Sequence, residues 1–226
     1  MTRLKQRMML AVIALSASLL AVGGASATTW TEVGDAGDLP GTAQVITGSG
    51  PLTAIYGSIH EAGNADLYKI FVSDPANFSA STVNAATNFD THLFLFRSDG
   101  TGVYANEDAG VPQSLLPAGH VYSPTTPGEY FLGIAAYTWD PVNADGVMFQ
   151  EYPWNGVYAP YTSNPITGWT AQFGGLPVGY GDYRIDLTGA EFIYTAPPPP
   201  GPVPEPSTMA LMGLGLAAFA RRRRKS

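Results

Sequence analysis

The 226-residue chain contains no cysteine, which excludes disulfides, thiolate metal sites and thiol nucleophiles. Its net charge of −7 hides a partition: Arg3, Lys5 and Arg7 open the chain and Arg221, Arg222, Arg223, Arg224 and Lys225 close it, so only Lys69, Arg97 and Arg184 face the 17 acidic residues between Thr28 and Pro202. That interior net charge of −14 repels nucleic-acid phosphates and anionic membranes and attracts cations, and nucleic acid is excluded as a partner.

Aromatic residues make up 12 % of the chain and charged residues 13 %, with 26 glycines and 19 prolines; this mix favours an exported all-β module over a helical protein. In chain order, the basic start leads into an apolar run of about fifteen residues, Met8–Val22, and then Ala25-Ser26-Ala27. This is the pattern of a secretory signal peptide (1–27), a helix cut by signal peptidase after Ala27, with Ala25 and Ala27 as the small residues of the site. The alternative reading of the run is a retained anchor.

Thr28–Pro40 reads as a polar leader, and Thr42–Thr47 and Leu52–Ile59 are the first strand candidates. In Asp66–Val72, Tyr68, Ile70 and Val72 share one face, and Leu67, Lys69 and Phe71 the other. Phe78–Val83 is a further strand. In Thr91–Phe96, Leu93 and Leu95 oppose His92, Phe94 and Phe96, and Ser98-Asp99-Gly100 then marks a tight turn back to Val103-Tyr104. Leu115–Gly119 reads as an apolar loop, Glu129–Tyr137 as the longest apolar strand, and Asp182–Leu187 as the last strand with the clearest alternation. Between these last two, Thr138–Gly181 (138–181) shows little periodicity and reads as a long aromatic insertion loop. The expected fold is all-β: a sandwich of about eight strands over 28–195.

After a Pro-rich spacer (196–202, with Pro197–Pro200 consecutive) come Pro204-Glu205-Pro206-Ser207, the apolar Thr208–Ala220, and the run Arg221, Arg222, Arg223, Arg224. As a helix, about 13 apolar residues span roughly 20 Å, short of the ~30 Å hydrocarbon core, so the segment suits a transient stop better than a permanent anchor. The basic run belongs on the cytoplasmic side. The order and spacing over 203–226 closely resemble the PEP-CTERM sorting signal of Gram-negative bacteria. That resemblance implies recognition by an exosortase, cleavage near the motif, and delivery to the cell envelope, the outer surface or the exterior, in bacteria that make exopolysaccharide and biofilm.

In the body, Ala65–Phe71, Phe89–Asp108, Pro127–Ile134 and Gly181–Leu187 together resemble the bacterial pre-peptidase C-terminal family. The resemblance implies a jelly-roll-like β-sandwich that serves as a non-catalytic accessory module. The long insertion departs from the family's compact pattern.

Three chemistries can be weighed on the residues. Asn106, Glu107 and Asp108, with Asp90 and Asp66, offer the oxygen ligands that calcium prefers, but without the spacing of a known calcium loop; the alternative is a solvated turn. Trp139, Trp154 and Trp169 suit stacking on sugar faces, as in a carbohydrate-binding module that attaches to secreted polysaccharide; the alternative is a satellite core beneath the loop. For catalysis there are only His60, His92 and His120, with neither a Gly-x-Ser-x-Gly nor a His-Glu-x-x-His motif, and a secreted hydrolase is the weakest reading. The expectation is a non-enzymatic cell-surface or extracellular-matrix protein.

Overall fold

The computed structural model describes residues 28–150, 152–172 and 179–194; the signal segment and the C-terminal spacer, motif and apolar segment lie outside the described residues. A compact unit closes at Tyr194. Its strands in chain order are β1 (Thr28–Thr31), β2 (Gln44–Val45), β3 (Thr47–Gly48), β4 (Leu52–Ser58), β5 (Ala65–Val72), β6 (Ser79–Ser81), β7 (Thr91–Arg97), β8 (Gly102–Asn106), β9 (Leu115–Leu116), β10 (Gly128–Ala136), β11 (Trp139–Asn143), β12 (Gly146–Val147), β13 (Val157–Tyr158), β14 (Gly168–Ala171), β15 (Asp182–Thr188), β16 (Ala190–Glu191) and β17 (Ile193–Tyr194).

Two sheets form the sandwich. The first runs β1-β4-β15-β6-β9, the second β13-β8-β7-β10-β5-β16 with β2 added beside β5. Alternation decides which side chains meet between them. Tyr183, Ile185 and Leu187 of β15 point inward, together with Tyr68, Ile70 and Val72 of β5, Leu93 and Leu95 of β7, and Leu132 and Ile134 of β10. The outer residues of β15 form their own surface pair, with Arg184 2.5 Å from Asp186.

The second sheet is buried on its other face as well. Phe94 and Phe96 of β7, Leu67 of β5 and Phe131 of β10 pack under Met148, Phe149 and Ile166, with Trp139 and Trp169 half-buried against them. This is why Thr91–Phe96 is buried at every position, and why its two faces read as equally apolar in sequence. The 138–181 region is therefore no plain loop. Part of it folds as a third, three-stranded sheet, β12-β11-β14, and β13 extends the second sheet by pairing with β8. Its periodicity is hidden because its strands are short and lie between Gly, Pro and Asn.

The polar leader is also structured. β1 pairs in parallel with β4, and Gly37 accepts a hydrogen bond from the Leu67 amide at 2.9 Å. The Thr42–Thr47 candidate shortens to the fragments β2 and β3, and the Leu115–Gly119 loop contributes β9, paired with β6. The Asp-Gly turn forms as its sequence predicts: Gly100 takes φ +83°, and the Asp99 carboxylate accepts from the Thr101 amide at 2.9 Å and its hydroxyl at 2.7 Å. Among the described residues no helix is long and apolar enough to cross a membrane.

Candidate functional site

The five residues grouped as calcium ligands from the sequence do not assemble as one set. Asp66 sits in β5 facing the space between the sheets, fully buried. Its Oδ2 accepts a hydrogen bond from the Tyr183 hydroxyl at 2.5 Å, and Tyr183 in turn lies 2.6 Å from the Tyr68 hydroxyl. Its other oxygen, Oδ1, is buried with no hydrogen-bond partner. Burial pushes the Asp66 carboxyl up to about 8, Tyr183 pulls it partly back, and the nearby charges of Glu32 and Asp35 add to the rise.

Those two neighbours come from the leader. Carboxylate oxygens of Glu32, Asp35 and Asp66 all lie within 4.8 Å of one another. Glu32 is held in place by two backbone amides, Ala36 at 3.0 Å and Ser58 at 2.9 Å, one on each carboxylate oxygen. Asp35 is exposed and accepts from the Asn64 side chain at 3.1 Å. β1 carries the leader along β4, and this pairing places Glu32 and Asp35 beside the start of β5. Sequence reasoning missed both residues, because no spacing motif joins them to Asp66 across more than 30 positions.

The acidic loop has a different role. Asn106 ends β8, with its side-chain amide donating to the Asp108 carbonyl at 3.0 Å and the Gly156 carbonyl at 2.8 Å. Its side-chain oxygen accepts from the Leu115 amide at 2.7 Å, so Asn106 joins three backbone segments. Glu107 is buried. Asp90 is half-buried with Oδ1 unpaired, and burial followed by the charge of Asp108 pushes its carboxyl up to about 6. Asp108 is raised by burial. Asp90 and Asp108 are thus near enough for the charge of Asp108 to act on Asp90.

The tryptophans separate by burial. Trp139 and Trp169 pack against the second core, and the Trp169 indole donates to the Asp38 carbonyl at 2.6 Å. Trp154 is 44 % exposed and stands edge-to-face with Tyr152, ring centroids 5.5 Å apart. The satellite-core geometry thus holds for Trp139 and Trp169, and Trp154 alone of the three presents a large surface to solvent.

The histidines are placed as follows. His92 is buried, its Nδ1 3.4 Å from an oxygen of buried Asp140, and its ring lies 3.9 Å from that of Phe94. Burial lowers its pKa to about 3. His60 Nδ1 lies 3.2 Å from the Ser58 hydroxyl, and His120 Nδ1 accepts from the Tyr122 amide at 3.3 Å.

A cleft of about 550 Å³ opens elsewhere, where Arg97, Thr101–Val103 and Tyr130 meet the segments Val121–Thr126 and Ala159–Ser163.

The comparisons with known proteins bear on the chain's end. Residues 202–225 match the PEP-CTERM protein-sorting motif. No curated protein matches the chain. The motif marks an exported, exosortase-processed protein that is anchored in the membrane transiently, and the described body is an all-β sandwich.

Proposed function

We propose that the mature protein is a non-enzymatic component of the cell surface or extracellular matrix of a Gram-negative bacterium, associated with its exopolysaccharide. The observation that carries this reading is the sorting motif at 202–225 joined to an acidic sandwich. In this reading signal peptidase cuts after Ala27, and the exosortase acts at Pro204-Glu205-Pro206-Ser207 while Arg221, Arg222, Arg223 and Arg224 hold the segment's cytoplasmic end. The resemblance of the body to the pre-peptidase C-terminal family belongs to the same proposal. It supports an accessory module in which loops at the sandwich rim meet the partner, because the second sheet is covered on both faces. The experiment is to locate and weigh the protein in cells with and without an exosortase; the reading requires a shortened chain outside the cells that have one.

A second reading concerns calcium, and the specific observation behind it is the unpartnered, buried Oδ1 of Asp66 beside two further carboxylates. The donors are all oxygen, as a hard cation prefers. Their mutual separations, all within 4.8 Å, fall inside the limit of about twice a Ca–O distance of 2.3–2.6 Å that ligands of one ion must meet. A bound cation would offset the cost of burying the Asp66 charge and tie the leader to β5. Saturating calcium is expected to raise Tm by roughly 5–10 °C, the range that follows when ligand at about 100 Kd stabilises the native state by ~2.7 kcal/mol. Asp35→Asn, at an exposed position, is expected to abolish that rise and to leave the calcium-free Tm unchanged or slightly higher, because it removes a charge that opposes ionisation of Asp66. A Tm indifferent to millimolar calcium in the wild-type protein refutes the site.

A further inference from the structure

The distribution of charge around the cleft is unlike that of the rest of the body. Between Thr28 and Pro202 acidic residues outnumber basic ones 17 to 3, yet no Asp or Glu lines the cleft and one of the three cations does. The other two are occupied: Lys69 pairs with Glu129 and Arg184 with Asp186. Arg97 has no ion pair among the described residues. Its Nη1 donates to the Gly102 carbonyl at 2.6 Å and to the Thr101 hydroxyl at 3.5 Å, which fixes the guanidinium at the end of β7 and leaves the Nε–Nη2 edge of the fork for a ligand. Asp99 feels the guanidinium's charge, but its carboxylate is committed to Thr101.

The rest of the lining is hydroxyls and tyrosine rings. Thr125, Thr126, Thr162 and Ser163 contribute hydroxyls, whereas the Thr101 and Ser123 hydroxyls donate to the Asp99 carboxylate and the Pro117 carbonyl. Tyr161 is 62 % exposed and Tyr122 is 40 % exposed. Tyr122 is braced by the His120 ring, 5.2 Å between centroids, and Tyr130 is fixed by donating from its hydroxyl to the Thr126 carbonyl at 2.8 Å. A pre-positioned fork of N–H donors, flat amphipathic rings and a field of hydroxyls is suited to one ligand chemistry. Carboxylate binds a guanidinium through two parallel hydrogen bonds, sugar faces stack on tyrosine, and sugar hydroxyls exchange hydrogen bonds with threonine and serine. With no carboxylate in the lining, an anionic chain meets less repulsion here than over the rest of this surface.

We propose that this cleft binds a carboxylate-bearing saccharide, a stretch of uronic-acid-containing polysaccharide, with Arg97 taking the carboxylate and Tyr122 and Tyr161 stacking on adjacent rings. The inference deepens the exopolysaccharide reading by naming the ligand class and the surface. It displaces Trp139 and Trp169 as sugar contacts, because both pack against the core.

The test is calorimetric titration of the purified, processed protein with short oligogalacturonates in calcium-free buffer, with oligoglucans of matched length as the neutral arm. The expected result is saturable binding of the acidic oligomers, with binding of the neutral ones at least tenfold weaker. Arg97→Gln is expected to lower affinity for the acidic oligomers at least tenfold and to leave the neutral arm unaffected. Tyr161→Ala is expected to weaken binding severalfold without changing Tm, since its ring is solvent-exposed. Arg97→Lys keeps the charge but loses the fork, and is expected to recover only part of the affinity. Absence of acidic-oligomer binding, equal binding of both oligomers, or binding indifferent to Arg97→Gln and Tyr161→Ala overturns the proposal. Export and tail processing of the Arg97→Gln protein are measured in parallel and are expected to be normal, so failure of the cleft and failure of the matrix reading give different results.

Discussion

Phe94→Ala is expected to cost about 3–5 kcal/mol of unfolding free energy, the range for removing a large aromatic side chain from a packed interior. The Phe94 ring is fully buried on the face of β7 that looks toward the third sheet. Its centroid lies 3.9 Å from His92, 5.4 Å from Trp169, 5.7 Å from Phe149 and 6.2 Å from Phe96. The cavity would be lined by rings from two layers that cannot collapse together, because β7 is held by β8 and β10 on either side. Trp154→Ala, at an exposed ring of the same insertion, is expected to change stability by less than about 0.5 kcal/mol. Denaturant unfolding with an unchanged m-value distinguishes the two. A cost below about 1 kcal/mol for Phe94→Ala would mean that the insertion layer is not a real second core.

Gly189→Ala is the other large effect, expected at about 2–5 kcal/mol. Gly189 is the corner at which the chain leaves β15 in the first sheet and enters β16 in the second, and it has φ +68°. Left-handed backbone costs an alanine about 1–2 kcal/mol on its own. Here a Cβ would also stand 2.5 Å from the Asp74 carbonyl oxygen and 2.9 Å from the Phe78 backbone nitrogen. These are main-chain atoms that cannot rotate away, and overpacking of this kind adds about 1–3 kcal/mol. The Gly189 carbonyl also accepts from the Ser73 amide at 2.9 Å and the Asp74 amide at 3.1 Å, so a shift to relieve the clash breaks the corner. Gly119→Ala is the control: φ is +66°, but nothing lies within 4 Å of the added Cβ, so only the left-handed cost of about 1–2 kcal/mol is expected. Equal losses at the two positions would show that the corner contact carries no energy.

Strands that bury one face against polar surroundings were legible from sequence. β15 is the clear example: Tyr183, Ile185 and Leu187 alternate with Asp182, Arg184 and Asp186, and the structure places the two sets on opposite faces. The Ser98-Asp99-Gly100 turn was equally legible because it depends on local chemistry alone. β11 and β14 were not, because Pro141 and the neighbouring glycines mask them and their pairing is with each other and not with the main sheets. The strand within the polar leader was not legible either, because β1 gains its hydrogen bonds from β4, more than 20 residues away. The acidic cluster was hidden for the same reason. Asp66 was singled out, but Glu32 and Asp35 reach it only through that parallel pairing, whereas Asn106, adjacent in sequence to two acids, spends its side chain on backbone groups. The cleft has no sequence signature at all, since Arg97, Tyr122 and Tyr161 come from three separate segments and become informative only when the lack of carboxylates around them is seen.

The central claim is that an acidic sandwich is sent out of the cell by a tail that is then cut. Its most direct test is the intact mass of the protein recovered from the exterior of exosortase-positive cells, set against the same protein in cells lacking the exosortase. The account predicts a mature chain that begins at Thr28, ends near Pro204-Glu205-Pro206-Ser207 and lacks Arg221–Lys225, with an unprocessed tail retained in the membrane fraction of the exosortase-negative cells. A chain carrying the same intact tail in both strains would contradict it.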